Sequence, residues 1–133
     1  MSEYDGELTR LVEQVNRAAK ESQADEIKLL DQFLTVAIER RASDLLFVAN
    51  SPVVLRVNGA LTGGFGQNLS PAELRSILLP ILTADQVAEL QTQKSLDFCF
   101  VRKAIGRFRA NYHFQKGTLA ASIRLLPEQV PYS

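Results

Sequence analysis

The chain has 133 residues, 46% of them hydrophobic and 23% charged, which fits one globular domain and excludes a disordered or low-complexity tract. Lys plus Arg and Asp plus Glu stand at 15 each, so the chain as a whole offers no field for nucleic acid or an anionic membrane, and any anion site must be a local cluster. A single cysteine, Cys99, excludes an internal disulfide and suits a reducing compartment, and no run nears the ~18 apolar residues of a membrane span. The start, MSEYDGELTR, has no apolar signal region, so the expected location is cytoplasmic, without membrane insertion.

Residues 5–22 predict a polar amphipathic helix with a thin stripe of Leu8, Leu11, Val12, Val15 and Ala19, read as a surface helix or tether. A second helix is expected from about Asp25 to Arg41, with a wider stripe of Ile27, Leu30, Phe33, Leu34, Ala37 and Ile38 that can pack on a sheet. Short strands follow at Leu45–Val48 and Val53–Val57, with Arg56 facing outward. Asn58-Gly59 marks a tight hairpin, with Ala60–Thr62 returning. Gly63 to Asn68 reads as a flexible loop. Ser70, Pro71 and Glu73 form a capping box that starts a helix, which Pro80 kinks or ends. Thr83 to Gln86 caps another short helix running to about Gln93. Three alternating stretches close the chain: Ser95–Val101, Gly106–Gln115 and Thr118–Leu125. Helices with a strand meander make the class α+β.

The central stretch has two unlike faces. Phe108, Ala110, Tyr112 and Phe114 share one; Arg107, Arg109, Asn111, His113 and Gln115 share the other, which is made of hydrogen-bonding side chains, mostly donors. A two-residue turn at Lys116-Gly117 sets Gln115 opposite Thr118, which closes the apolar face and puts Arg109 opposite Arg124 and Asn111 opposite Ser122. A three-residue bulged turn would shift that register. Like charges directly opposite destabilise a sheet and call for an anion or a nearby carboxylate. Asp97, on the polar face diagonal to Arg109, is the expected counter-charge for Arg107, Arg109 and Arg124. Two readings stay open from spacing alone: a phosphate-contacting face, since guanidinium forks match phosphate geometry, or a solvated face paired with Asp97.

Arg107-Phe108-Arg109-Ala110-Asn111, then Phe114-Gln115, Gly117 and Arg124-Leu125-Leu126-Pro127, resemble the signature closing the N-terminal domain of the PilT family, the hexameric retraction ATPases of type IV pili. Ala42-Ser43-Asp44-Leu45, Arg56-Val57-Asn58-Gly59 and Leu96-Asp97-Phe98 resemble earlier family motifs, in family order, over about residues 28–131. The resemblance implies a PAS-like α+β domain at 25–131, an antiparallel sheet packed by helices, preceded by an extra N-terminal helix within 1–24. It also implies a homo-hexamer in the full-length form, in which Arg107, Arg109 and Arg124 contact phosphates of ATP, with Mg²⁺, on a RecA-like core of the same family. Asp97 and Asn111 support that face. The pilus inner-membrane platform protein is the implied partner, with peripheral membrane attachment through it. The chain departs from the family at Leu46, where a histidine is usual, and at Gly63–Gln67, which reads as a local insertion.

No G-x-x-x-x-G-K-[ST] phosphate cradle is present, and the glycines of 63–66 lack a following Lys-Ser or Lys-Thr. The RecA-like core is therefore expected to lie outside these 133 residues, and no residue here is assigned a catalytic or metal-ligating role. His113, the lone histidine, reads as a surface imidazole. Cys99 reads as a semi-buried thiol opposite Arg109, and Asp44 as a cap or turn residue. The alternative is a free-standing PAS-like ligand-binding or protein-interaction module, although the face that would line its cavity carries tight core-filling aromatics.

Overall fold

Alternation along the last three strands sets the architecture, because every second side chain must go to the helix-covered side. The computed structural model describes residues 27–127. The predicted helix at 5–22 and the chain beyond Pro127 lie outside them. A first helix, α1, is described over residues 27–39, and Leu30, Leu34 and Ala37 of its stripe are fully buried. Strands β1 (Asp44–Phe47), β2 (Ser51–Val57), β3 (Ala60–Leu61) and β4 (Phe65–Leu69) follow. Helices α2 (Pro71–Leu78) and α3 (Ala84–Gln93) lead to β5 (Ser95–Arg102), β6 (Gly106–Gln115) and β7 (Thr118–Leu126). The sheet is antiparallel throughout, in the order β3-β2-β1-β7-β6-β5, with β4 paired to β2.

The α+β expectation holds, with helices supplying one face of the sheet. Both capping boxes form: Ser70 with Glu73 on α2, and Thr83 with Gln86 on α3. α2 ends before Pro80, as that residue's missing N–H requires. Asn58-Gly59 and Lys116-Gly117 turn through left-handed conformations at both residues, the geometry that matches strand twist in a two-residue hairpin. One expectation fails. The stretch from Gly63 to Asn68 is not a plain loop, because Phe65–Leu69 pairs with the opening of β2. Phe65 secures it by packing on Phe33 of α1, under the guanidinium of Arg40 at 5.0 Å.

The core lies between this sheet and the helices, with Phe47, Leu55, Phe108, Tyr112 and Ile123 fully buried against Leu34, Leu74 and Leu78. Tyr112 is the polar exception. Its hydroxyl donates to the Leu78 carbonyl at 2.8 Å, satisfying an orphan carbonyl at the end of α2, and burial pushes its pKa well above the usual tyrosine value. A bidentate pair ties α1 to the far end of β5: Arg102 Nε and Nη2 donate to the two Asp31 carboxylate oxygens at 2.7 and 2.9 Å. Those hydrogen bonds raise the Arg102 pKa, against the opposing effect of burial.

Candidate functional site

The side of the sheet turned away from the helices is built by the other parity of the same strands. The Lys116-Gly117 turn gives the predicted register in full: Arg109 faces Arg124, Asn111 faces Ser122, and Gln115 faces Thr118. On the other edge of β6, Cys99 faces Arg109 and Asp97 faces Asn111. Beyond β7, Asp44 of β1 faces Arg124, and Arg56 of β2 faces Asp44. One row of the outward face therefore reads Cys99, Arg109, Arg124, Asp44, Arg56 across five strands. Neighbouring strands sit ~4.8 Å apart, so the backbones carrying Arg109 and Arg124 lie side by side in this row, with Arg56 two strands beyond Arg124.

Asp44, Asp97, Arg109, Ala110, Asn111, Ser122 and Arg124 line an open cavity of about 260 Å³ on this face. The donors on its wall include two guanidiniums and the Ser122 hydroxyl, beside the carboxylates of Asp44 and Asp97, and guanidinium forks suit phosphate oxygens. Of the predicted arginines, the sheet gathers Arg109 and Arg124. Arg107 projects from the next row, opposite Val101 and Leu126, outside the cavity.

The counter-charge differs from the expected one. Asp97 accepts from the Asn111 Nδ2–H at 2.9 Å and makes no ion pair with an arginine among the described residues. Asn111 Oδ1 accepts in turn from His113 Nδ1 at 2.9 Å, so the amide leans along its own row and away from the arginines. The carboxylate that pairs with the arginines is Asp44. Arg124 Nε donates to its Oδ1 at 3.1 Å, and Arg56 Nε lies 3.7 Å from its Oδ2. Arg109 has no carboxylate partner among the described residues.

Asp44 is therefore neither cap nor turn. It opens β1 and is the one charged side chain classed as buried among the described residues. Two further expectations need correction. Cys99 is exposed, because β5 is an edge strand and no element among the described residues covers its outward side. His113 is half-buried and hydrogen-bonded rather than a free surface imidazole. Sequence reasoning missed Asp44 and Arg56 because no turn rule fixes the pairing of β1 with β7 across some 80 residues. The retrievable signal was parity, since Asp44 and Leu46 alternate with the core residues Leu45 and Phe47. Leu46, where the resembled family usually has histidine, stands on the outward face opposite Ser122, beside the cavity.

The interior expected of a ligand-holding module is filled by the aromatics of β6. A separate groove of about 360 Å³ lies at the margin, between α1, β4 and α2, lined by Leu29, Phe33, Leu69 and Ile77 among others. Among the described residues no three His, Cys, Asp or Glu side chains come together as a metal site, and no helix is long and apolar enough to cross a membrane.

No protein-family model matches the chain. The type IV pilus ATPase PilU of Pseudomonas aeruginosa is 25% identical over 101 residues, covering 76% of this chain and 26% of PilU. Among solved structures, the pilus retraction motor PilT with bound ADP is 28% identical, with a TM-score of 0.69 over 75% of this chain and 29% of that one. The ATPase DotB of Legionella pneumophila, 24% identical with a TM-score of 0.62 over 76% of this chain and 29% of its own, shows the shared fold. The chain thus spans between a quarter and a third of the length of each relative.

Proposed function

We propose that this chain, which carries the N-terminal domain of a PilT-family secretion ATPase, presents arginines of its outer sheet face to the phosphates of a nucleotide held by a RecA-like core. The observation that carries the reading is the cross-strand pair Arg109 and Arg124, two like charges side by side at a cavity that Asp44, Asp97, Asn111 and Ser122 also line, with Arg109 lacking any carboxylate partner among the described residues. Such a pair raises the energy of the free sheet, and an anion placed between the guanidiniums relieves it. The bound ADP in the PilT structure supports nucleotide use by a parent ATPase of this kind.

The chemistry assigned to the chain is electrostatic. In phosphoryl transfer, charge spreads over the equatorial oxygens of the moving group, and fixed guanidiniums stabilise it without reorganising. Arg109 and Arg124 are the contacts the cavity supports; Arg107 joins them only as a longer-range charge. ATP and Mg²⁺ are assigned to the core. The wider proposal has residues 25–131 as the domain, residues 1–24 as an extension, and a cytoplasmic homo-hexamer acting in pilus retraction against a platform protein of the inner membrane.

Two measurements test it. An immunoblot of source cells with antibody to this domain gives the native size, and a band near ~40 kDa, the size of several domains, is expected. A band at 14.8 kDa would instead favour a free-standing module. In the full-length protein, Arg109→Ala or Arg124→Ala is expected to lower hydrolysis about 10²-fold. Unchanged hydrolysis in both variants removes the site.

A further inference from the structure

We infer that Asp44 is a positioning residue for this anion site: its buried carboxylate holds Arg124 by Nε and draws Arg56 into the same row, presenting their terminal amino groups outward. The inference rests on the phosphate reading given above.

Asp44 lies on the outward face yet is 8% exposed, and its oxygens are occupied. Oδ1 accepts from Arg124 Nε at 3.1 Å, and Oδ2 accepts from Ser43 Oγ at 2.7 Å with Arg56 Nε 3.7 Å away. Ser43 is itself fixed by the ladder: its N–H donates to the Arg56 carbonyl at 2.8 Å, and its carbonyl accepts from the Leu125 N–H at 3.0 Å. The carboxylate therefore stands at the backbone junction of β1, β2 and β7, next to a residue whose main chain is hydrogen-bonded to both neighbouring strands. The Arg124 side chain, 69% exposed, is tethered at Nε only, and its terminal amino groups have no hydrogen-bond partner among the described residues. A guanidinium so held loses less freedom on meeting an anion than a free one, which is how preorganisation raises affinity.

The effect has a sign that separates it from plain electrostatics. A carboxylate beside an anion site repels the anion, so removing its charge should tighten binding if charge alone matters. If Asp44 acts by holding Arg124, removing the charge weakens binding instead.

The experiment uses the full chain with pyrophosphate as the probe, followed by arginine side-chain Nε–H resonances and titration in wild type, Asp44→Asn and Arg124→Lys. The expected result is a slowly exchanging, ordered Arg124 Nε–H in wild type. In Asp44→Asn that order is lost and pyrophosphate binds about three- to tenfold more weakly, although the variant carries one negative charge fewer. Arg124→Lys keeps the charge but lacks the Nε–H, and is expected to weaken binding similarly. Equal or tighter binding by Asp44→Asn overturns the inference, as does an Arg124 Nε–H that stays ordered without the carboxylate. Should Asp44→Asn fail to fold, the exposed Arg124→Lys decides alone, and undiminished binding overturns the inference. Wild type that holds Arg124 in order yet binds no pyrophosphate overturns the phosphate reading itself, and the inference falls with it.

Discussion

The two faces of β6 and β7 are made by the same strands, in the same register, one residue out of phase. On the helix side, Phe108, Ala110, Tyr112 and Ile123 are fully buried, and the single polar atom among them is matched to a helix-end carbonyl. On the outward side, Arg109 and Arg124 face each other, and of the two only Arg124 has a carboxylate partner among the described residues. One face is satisfied among the described residues; on the other, Arg109 has no carboxylate partner among them. A strand pair selected for stability alone would not place two guanidiniums opposite each other. The contrast is what supports the proposed phosphate site on the outward face, and substitutions on the two faces should separate stability from phosphate handling.

The largest expected effect breaks the core face. Phe108 is fully buried and stacked on Phe100 with ring centroids 5.2 Å apart, so Phe108→Ala should cost about 3–5 kcal/mol, read as a lower urea midpoint. A loss below ~1 kcal/mol would mean that the helix layer is not held on this sheet as described. Next is Tyr112→Phe, which leaves the Leu78 carbonyl without its donor and should cost about 1–2 kcal/mol near neutral pH. Its pH dependence is sharper than its size. Burial raises the folded-state pKa of Tyr112 above the ordinary value near ~10. The buried, protonated phenol thus contributes stability that is complete below about pH 10 and is lost as pH rises beyond it, because the unfolded chain releases the proton first. Denaturant melts from pH 9 to 11 should show wild type losing about one proton's worth of slope more than Tyr112→Phe. Equal slopes would place the hydroxyl in contact with water.

The difference between the faces also explains what the sequence disclosed. The core face and the register of β5, β6 and β7 were legible, because tight turns and strict alternation leave one pairing that buries Phe108, Tyr112 and Ile123 together, although Phe114 at the end of β6 stays exposed. The helix starts were legible because Ser70 and Thr83 carry the chemistry that caps them. The arginine pair followed from the same register. Its counter-charge did not, since Asp97 is local to the hairpin whereas Asp44 arrives through a long-range strand pairing that no turn residue encodes. β4 was missed for a related reason. Two glycines at its approach suggest a loop, yet Gly64 is needed there because a side-chain carbon would overlap Pro52 as the chain closes on β2.

The smallest expected effect is the most selective test of the comparison, because its sign runs against ordinary mutational loss. Arg109 is exposed and has no partner among the described residues to lose, so replacing it removes a cross-strand repulsion and little else. Arg109→Gln keeps a long polar side chain and should leave the isolated chain as stable as wild type or a few tenths of a kcal/mol more stable in low salt. The gain should fade toward zero as sodium chloride approaches 1 M, where the screening length falls to ~3 Å and the two guanidiniums no longer feel each other in wild type. Thermal melts of both proteins at the two salt levels would show it. A variant less stable than wild type in low salt would mean that Arg109 is held by a favourable contact in the free chain, and the outward face would then carry no unresolved charge for a phosphate to settle.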